Sequence, residues 1–101
     1  HTDMATYSEI ITSAPVVLVE FYADWCPHCR RMMPVVKEAK GELEGRADVY
    51  QFEIDANQEL AQQNDVETIP TFIVYKDGQE QWRYSGEVTL RQLVGKVEEY
   101  L

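Results

Sequence analysis

From Val16 to Tyr22 apolar side chains fill every position but one: Val16-Val17-Leu18-Val19-Glu20-Phe21-Tyr22. A β-branched and aromatic run without alternation predicts a central strand covered on both faces, with Glu20 as its one charged position. From Pro27 the period changes. Met32, Val35, Val36, Ala39 and Leu43 follow i, i+3, i+4 spacing while Lys37, Glu38, Lys40, Glu42 and Glu44 take the other face, which predicts an amphipathic helix ended by Gly45. Pro34 falls inside it, where its missing N–H and its ring's clash with the Arg30 carbonyl predict a kink. Asp48 to Ile54 reads as a second strand, and strand, helix, strand in succession implies a parallel right-handed crossover.

Shorter signals complete the pattern. Thr6 and Glu9 have capping-box spacing, predicting a helix from Tyr7 to Thr12 that docks Ile10 and Ile11 before Ser13-Ala14-Pro15 breaks it. Asn57 is expected to cap a short helix carrying Leu60 and Ala61 and ending near Asn64-Asp65. Thr71 to Tyr75 predicts a third strand, and the Asp77-Gly78 turn leads antiparallel into a fourth, Glu80 to Tyr84, with Trp82 and Tyr84 on one face. After Gly86, Thr89 and Gln92 have capping-box spacing, and Leu90, Leu93, Val94, Val97 and Leu101 define the buried stripe of a closing helix. The class is α/β: a mixed sheet between helices.

Composition narrows the partners. With 101 residues the chain is expected to form a single domain over 1–101, and 45% hydrophobic with 27% charged side chains is ordinary for a globular protein. No apolar run approaches the roughly 18 to 20 residues of a membrane span. A net charge of −9 disfavours nucleic acid and anionic membrane, both of which select basic patches. His1-Thr2-Asp3 ahead of Met4 reads as an expression remnant, which removes His1 from any site, and His1 to Ala14 shows no signal-peptide pattern. The expectation is a cytoplasmic monomer, or an exported protein whose leader has been removed.

Both cysteines, Cys26 and Cys29, lie where the first strand gives way to the helix. The first turn of a helix presents unpaired N–H groups and roughly half a positive charge, which favour an anion placed there. A thiolate is such an anion, and a thiol one turn along can resolve the mixed disulfide that it forms. Cys26, nearer the helix start, is the expected nucleophile and Cys29 the resolving thiol. The alternative is a metal- or cluster-binding module with the C-x-x-C pair as ligands. Zinc needs about four ligands, and His28, lying between the cysteines, is poorly placed to share their metal. A structural disulfide closing so short a loop stabilises little.

Val19-Glu20-Phe21-Tyr22-Ala23-Asp24-Trp25-Cys26-Pro27-His28-Cys29 resembles the active-site segment of the thioredoxin family, and the likeness continues through Phe52-Glu53-Ile54-Asp55, Ile69-Pro70-Thr71-Phe72, Lys76-Asp77-Gly78 and Gly86. The resemblance implies a thioredoxin fold, with a central mixed four-stranded sheet between helices. Too little sequence precedes Thr6 for the edge strand usual in the family. It also implies a thiol-disulfide oxidoreductase acting on protein disulfides or dithiols, with no cofactor beyond the Cys26-Cys29 disulfide and with a thioredoxin reductase or another electron donor or acceptor as redox partner. Thioredoxins proper usually carry Gly-Pro between the cysteines. Pro27-His28 resembles instead the bacterial oxidoreductases that introduce disulfides, so reductase, oxidase and isomerase stay open.

Other residues gain roles from the same comparison, each beside a plainer reading. His28 is either a solvated helix-start histidine or an imidazole that favours the Cys26 thiolate. Glu20 is either an exposed edge glutamate or a buried acid, protonated near neutral pH, that exchanges a proton with Cys29. X-Pro bonds are cis in only about 5 to 6% of cases, but the resemblance implies a cis Pro70 facing the dithiol, with Ile69 offering backbone hydrogen bonds to an extended substrate. Trp25, beside Pro27 and the nucleophile, is either core or part of an apolar contact surface. Gly86 is either a turn glycine or a point of close approach for a partner backbone.

Overall fold

Alternate side chains of a strand leave opposite faces of its sheet, and in the first strand, β1 (Val16–Tyr22), this rule separates two hydrophobic layers. The structure, a computed structural model, describes residues 6–101; His1-Thr2-Asp3, read from the sequence as an expression remnant, lies outside the described residues. A first helix, α1 (Tyr7–Ile10), precedes β1 and is closed by the expected Thr6/Glu9 capping box, ending short of the Thr12 that the sequence predicts. Then follow α2 (Pro27–Leu43), β2 (Asp48–Glu53), α3 (Gln58–Gln63), β3 (Thr71–Lys76), β4 (Gln79–Ser85) and α4 (Leu90–Glu98). The four strands form one mixed sheet in the order β2-β1-β3-β4, with β1 parallel to β2 and antiparallel to β3. No strand precedes α1 among the described residues, so β2 is an edge of this sheet.

Val16 and Leu18 of β1, with Phe72 and Val74 of β3, pack against Met32, Val36, Ala39 and Leu43 of α2 and Leu93, Val94 and Val97 of α4. On the opposite face Val17, Val19, Phe21, Ile73 and Tyr75 are covered by Ala61 of α3 and by Tyr7 and Ile11. Glu20 shares the parity of Val16 and Leu18, so it points to the α2 side. That placement follows from β1 being central, and it puts a carboxylate under the start of the helix that carries the cysteines.

Local chemistry explains the boundaries. Leu43 ends α2, its carbonyl accepts from Arg46 and Ala47, and Gly45 takes φ 81° just beyond. Pro34 stands on the exposed side of α2 without ending the helix. The β3–β4 turn has Asp77 at φ 50° and Gly78 at φ 80°, the paired positive values of a tight hairpin. A side chain at Gly78 would be strained at this φ and would meet the Thr12 methyl at 2.8 Å, which would have to shift, so both favour glycine there. Trp82 and Tyr84 do share a face of β4, their rings stacked with centroids 6.1 Å apart.

Two sequence expectations fail. Asn57 occupies the N-cap of α3 but makes no side-chain cap, because its Nδ2 donates instead to the Glu53 carbonyl at 2.9 Å. Leu101 is 49% exposed and takes no part in the α4 stripe, since the helix ends at Glu98.

Candidate active site

Cys26 is the N-cap residue of α2, in extended conformation, with Pro27 at the first helical position, where a missing N–H costs nothing. A side chain at an N-cap faces the free N–H groups of the first turn, and here Cys29 N donates to Cys26 Sγ at 3.5 Å. Sulfur thus takes the place that a serine or aspartate oxygen fills in an ordinary cap. Both thiols are free, and Cys26 retains 5% exposure against 1% for Cys29. Burial is the first reason that the Cys29 thiol is pushed up to about 12, the neighbouring Cys26 and Glu20 adding to it against a backbone hydrogen bond from Ala23. Cys29 therefore holds its proton at neutral pH, and only the cap thiol is placed by the helix to act as an anion.

The Ile69–Pro70 bond is cis, and Cys26 Sγ lies 3.9 Å from the Ile69 carbonyl oxygen. Pro70 is buried and its carbonyl accepts from Gly86 N at 2.8 Å, which joins the Gly86 segment to the loop facing the dithiol. Trp25 is 62% exposed and donates from Nε1 to Asp55 Oδ2 at 2.8 Å, so its ring borders the cysteines without entering the core.

Glu20 is 2% exposed. Burial raises its carboxyl to about 7, opposed by a hydrogen bond from Gln51 Nε2 to Glu20 Oε1 at 2.9 Å. The bond is a product of register, because Glu20 of β1 lies opposite Gln51 of the parallel neighbour β2. Gln51→Ala removes a donor to the charged form, so the Glu20 titration should move up by about one pH unit, given the ~1.5 kcal/mol of a hydrogen bond to a charged group. Carboxyl-resolved NMR titration of the two proteins checks this; coincident curves would show that the amide does not hold the carboxylate.

His28 is exposed, and its Nδ1 is turned to Glu87 Oε2 at 2.7 Å. Arg31 donates to the same oxygen from Nε at 2.9 Å and from Nη2 at 2.8 Å. These bonds hold the Glu87 carboxyl well below the usual range, at about 2, Arg31 contributing first and His28 next. Sequence reasoning missed Gln51, Asp55 and Glu87. Register from β1 to β2 would have found Gln51, whereas Glu87 carries no local signal beyond following Gly86.

Among the described residues no group of three or more His, Cys, Asp and Glu side chains gathers to hold a metal ion, so the ligand-pair alternative finds no third donor. No helix among them is long and apolar enough to cross a membrane.

The geometry is a dithiol at a helix start, a cis proline facing it and a buried acid beneath, and comparison with known proteins agrees with it. The Thioredoxin family model matches residues 1–99. Thioredoxin Y1, chloroplastic, of Arabidopsis thaliana is 33% identical over 92 residues, covering 91% of this chain and 54% of that protein. Protein disulfide isomerase-like 2-3 of Oryza sativa subsp. japonica is 38% identical over 87 residues, 86% of this chain and 20% of the rice protein. The chain thus spans about half the length of the first and a fifth of the second. Among solved structures, a mutant thioredoxin from Halobacterium salinarum NRC-1 superposes with a TM-score of 0.83 at 31% identity, covering 92% of this chain and 80% of that one. With nearly its whole length matched by the family model and the fold shared with a solved thioredoxin, this chain belongs to the thioredoxin family.

Proposed function

We propose that the chain is a thiol-disulfide oxidoreductase that exchanges its Cys26-Cys29 dithiol and disulfide with protein substrates. The observation that carries this reading is the Cys26 sulfur at the N-cap of α2, accepting from Cys29 N and set beside the Ile69 carbonyl. In the reducing direction the Cys26 thiolate attacks one sulfur of a substrate disulfide; that S–S bond breaks, a substrate thiolate leaves, and a mixed disulfide forms. The Glu20 carboxylate takes the proton of Cys29, whose thiolate attacks Cys26 Sγ and expels the second substrate thiolate. Two electrons pass from the dithiol to the substrate, and Cys26 and Cys29 end joined. A thioredoxin reductase or another dithiol-disulfide partner resets the pair. Trp25, Pro27, Ile69, Pro70 and Gly86 line the face on which an extended peptide docks, Ile69 offering backbone groups for strand-like pairing.

The test is catalysed reduction of an interchain disulfide in a small protein substrate, with dithiothreitol as electron source. Acceleration over dithiothreitol alone, absent in Cys26→Ser, is the expected result; equal rates with and without the protein would sink the reading.

Pro27-His28 tunes the reduction potential of the pair and makes it more oxidising than a Gly-Pro thioredoxin. Any interaction that favours the Cys26 thiolate exists only while the disulfide is open, so it stabilises the reduced form and raises the reduction potential. Redox proteins of this type run from about −270 mV to about −120 mV, a span of roughly 7 kcal/mol, and an intermediate value is expected here. Replacing Pro27-His28 by Gly-Pro should lower the potential towards about −270 mV, read from equilibria with glutathione. A potential already at that limit in the unaltered protein would remove the dipeptide as the tuning element.

A further inference from the structure

Glu87 follows Gly86 and lies fifty-six positions from Arg31 in the chain, yet one of its oxygens takes hydrogen bonds from both Arg31 and His28 on the first turns of α2. Arg31 Nη2 also lies 3.0 Å from His28 Nδ1, so the three side chains form one closed cluster. It joins two parts of the site. His28 lies between the cysteines, and the Gly86 N–H bonds the Pro70 carbonyl in the loop whose Ile69 oxygen faces Cys26 Sγ. The guanidinium is a permanent cation and, placed by α2 near the dithiol, acts on whatever charge Cys26 carries. The pKa of the Arg31 guanidinium is raised first by its hydrogen bonds to Glu87, and Cys26 lies near enough to add a last, smaller contribution.

We infer that Glu87 is a positioning residue that restrains the oxidising power of the Cys26-Cys29 pair, by binding the guanidinium and imidazole that would otherwise favour the Cys26 thiolate. The inference rests on the exchange activity proposed above. Its sign is fixed. The carboxylate offsets the Arg31 charge and itself repels a thiolate, so both effects disfavour the open, thiolate-bearing state and lower the potential. Its size is limited because Arg31 and Glu87 are 57% and 37% exposed, and water screens such charges. The same cluster explains how a His28 side chain can sit between the cysteines while its ring is turned away towards a carboxylate.

Glu87→Gln keeps the size and the acceptor oxygen and removes the charge. Its equilibrium with glutathione should shift about three- to tenfold towards the reduced dithiol, tenfold being about 30 mV. The shift should shrink as salt is raised and should be clearly smaller when Glu87→Gln is introduced into an Arg31→Ala/His28→Ala background, where no cation remains to be freed and only the direct repulsion of the thiolate is lost. Glu87→Asp, which keeps the charge, should restore most of the native potential. An unchanged potential in Glu87→Gln, or an equal shift in the background lacking Arg31 and His28, overturns the inference and leaves Glu87 as a loop tether alone. Failure of the proposed function reads differently: there the unaltered protein itself would not equilibrate with glutathione.

Discussion

A Cys29→Ser variant will accumulate a stable mixed disulfide between Cys26 and a substrate, while Cys26→Ser will accumulate none and will lose exchange down to the uncatalysed background. The asymmetry follows from the two sulfur environments. Cys26 caps α2 and faces its free N–H groups, whereas Cys29 is a turn deeper, 1% exposed and with its thiol pushed up to about 12. An approaching disulfide meets Cys26 first, and a thiol that holds its proton at neutral pH is a poor nucleophile until a base removes it. With serine at position 29 nothing expels the bound substrate, so the intermediate persists until an external thiol arrives. Mass spectrometry after incubation with a disulfide-bonded protein measures the adduct. An adduct formed by Cys26→Ser through Cys29 would reverse the assignment and demand an opening of the site that exposes the deeper thiol.

Much of this site was legible because its key features are local in sequence. The change from the strand run ending at Tyr22 to the helical period beginning at Pro27 fixes where the cysteines sit, and spacing alone fixes which of them caps the helix. Glu20 was legible for a related reason: a single charge in an unbroken apolar run must be buried if the run is central, and β1 is bordered by β2 and β3. What escaped was pairing across distance. Gln51 reaches Glu20 only through the β1–β2 register, and Glu87 reaches Arg31 only because the end of β4 returns to the start of α2. His28 shows the limit best, since sequence placed it beside Cys26 while its ring direction was decided by a residue fifty-nine positions away. Leu101 fails for the opposite reason: it continues the apolar period of α4, but the helix has already ended.

Glu20→Gln will make the protein more stable and a slower catalyst, and its stability gain will vanish in acid. Folding raises the Glu20 carboxyl from 4.5 to about 7, so between those limits the native state binds a proton that the unfolded chain has released. Stability then falls as pH rises, because the unfolded state holds fewer protons than the native one. The sign is opposite to that of a salt-bridged carboxylate. Below about pH 4 both states are protonated and Glu20 costs nothing by this route, whereas above pH 7 the full penalty is present, ~3 kcal/mol at ~1.4 kcal/mol per pH unit. Gln is nearly isosteric and can keep a hydrogen bond to Gln51, so at pH 8 the variant should melt higher by roughly 10 to 20 °C for a domain of this size, and at pH 4 by almost nothing. Catalysis should move the other way. With Cys29 protonated and buried, loss of the proton acceptor should slow release of substrate from the mixed disulfide by about a hundredfold or more, the low end for general acid-base catalysis, without slowing its formation at Cys26. Single-turnover kinetics separate the two steps. Resolution as fast in Glu20→Gln as in the unaltered protein would show that the Cys29 proton leaves by another route, even if the melting curves behave as expected.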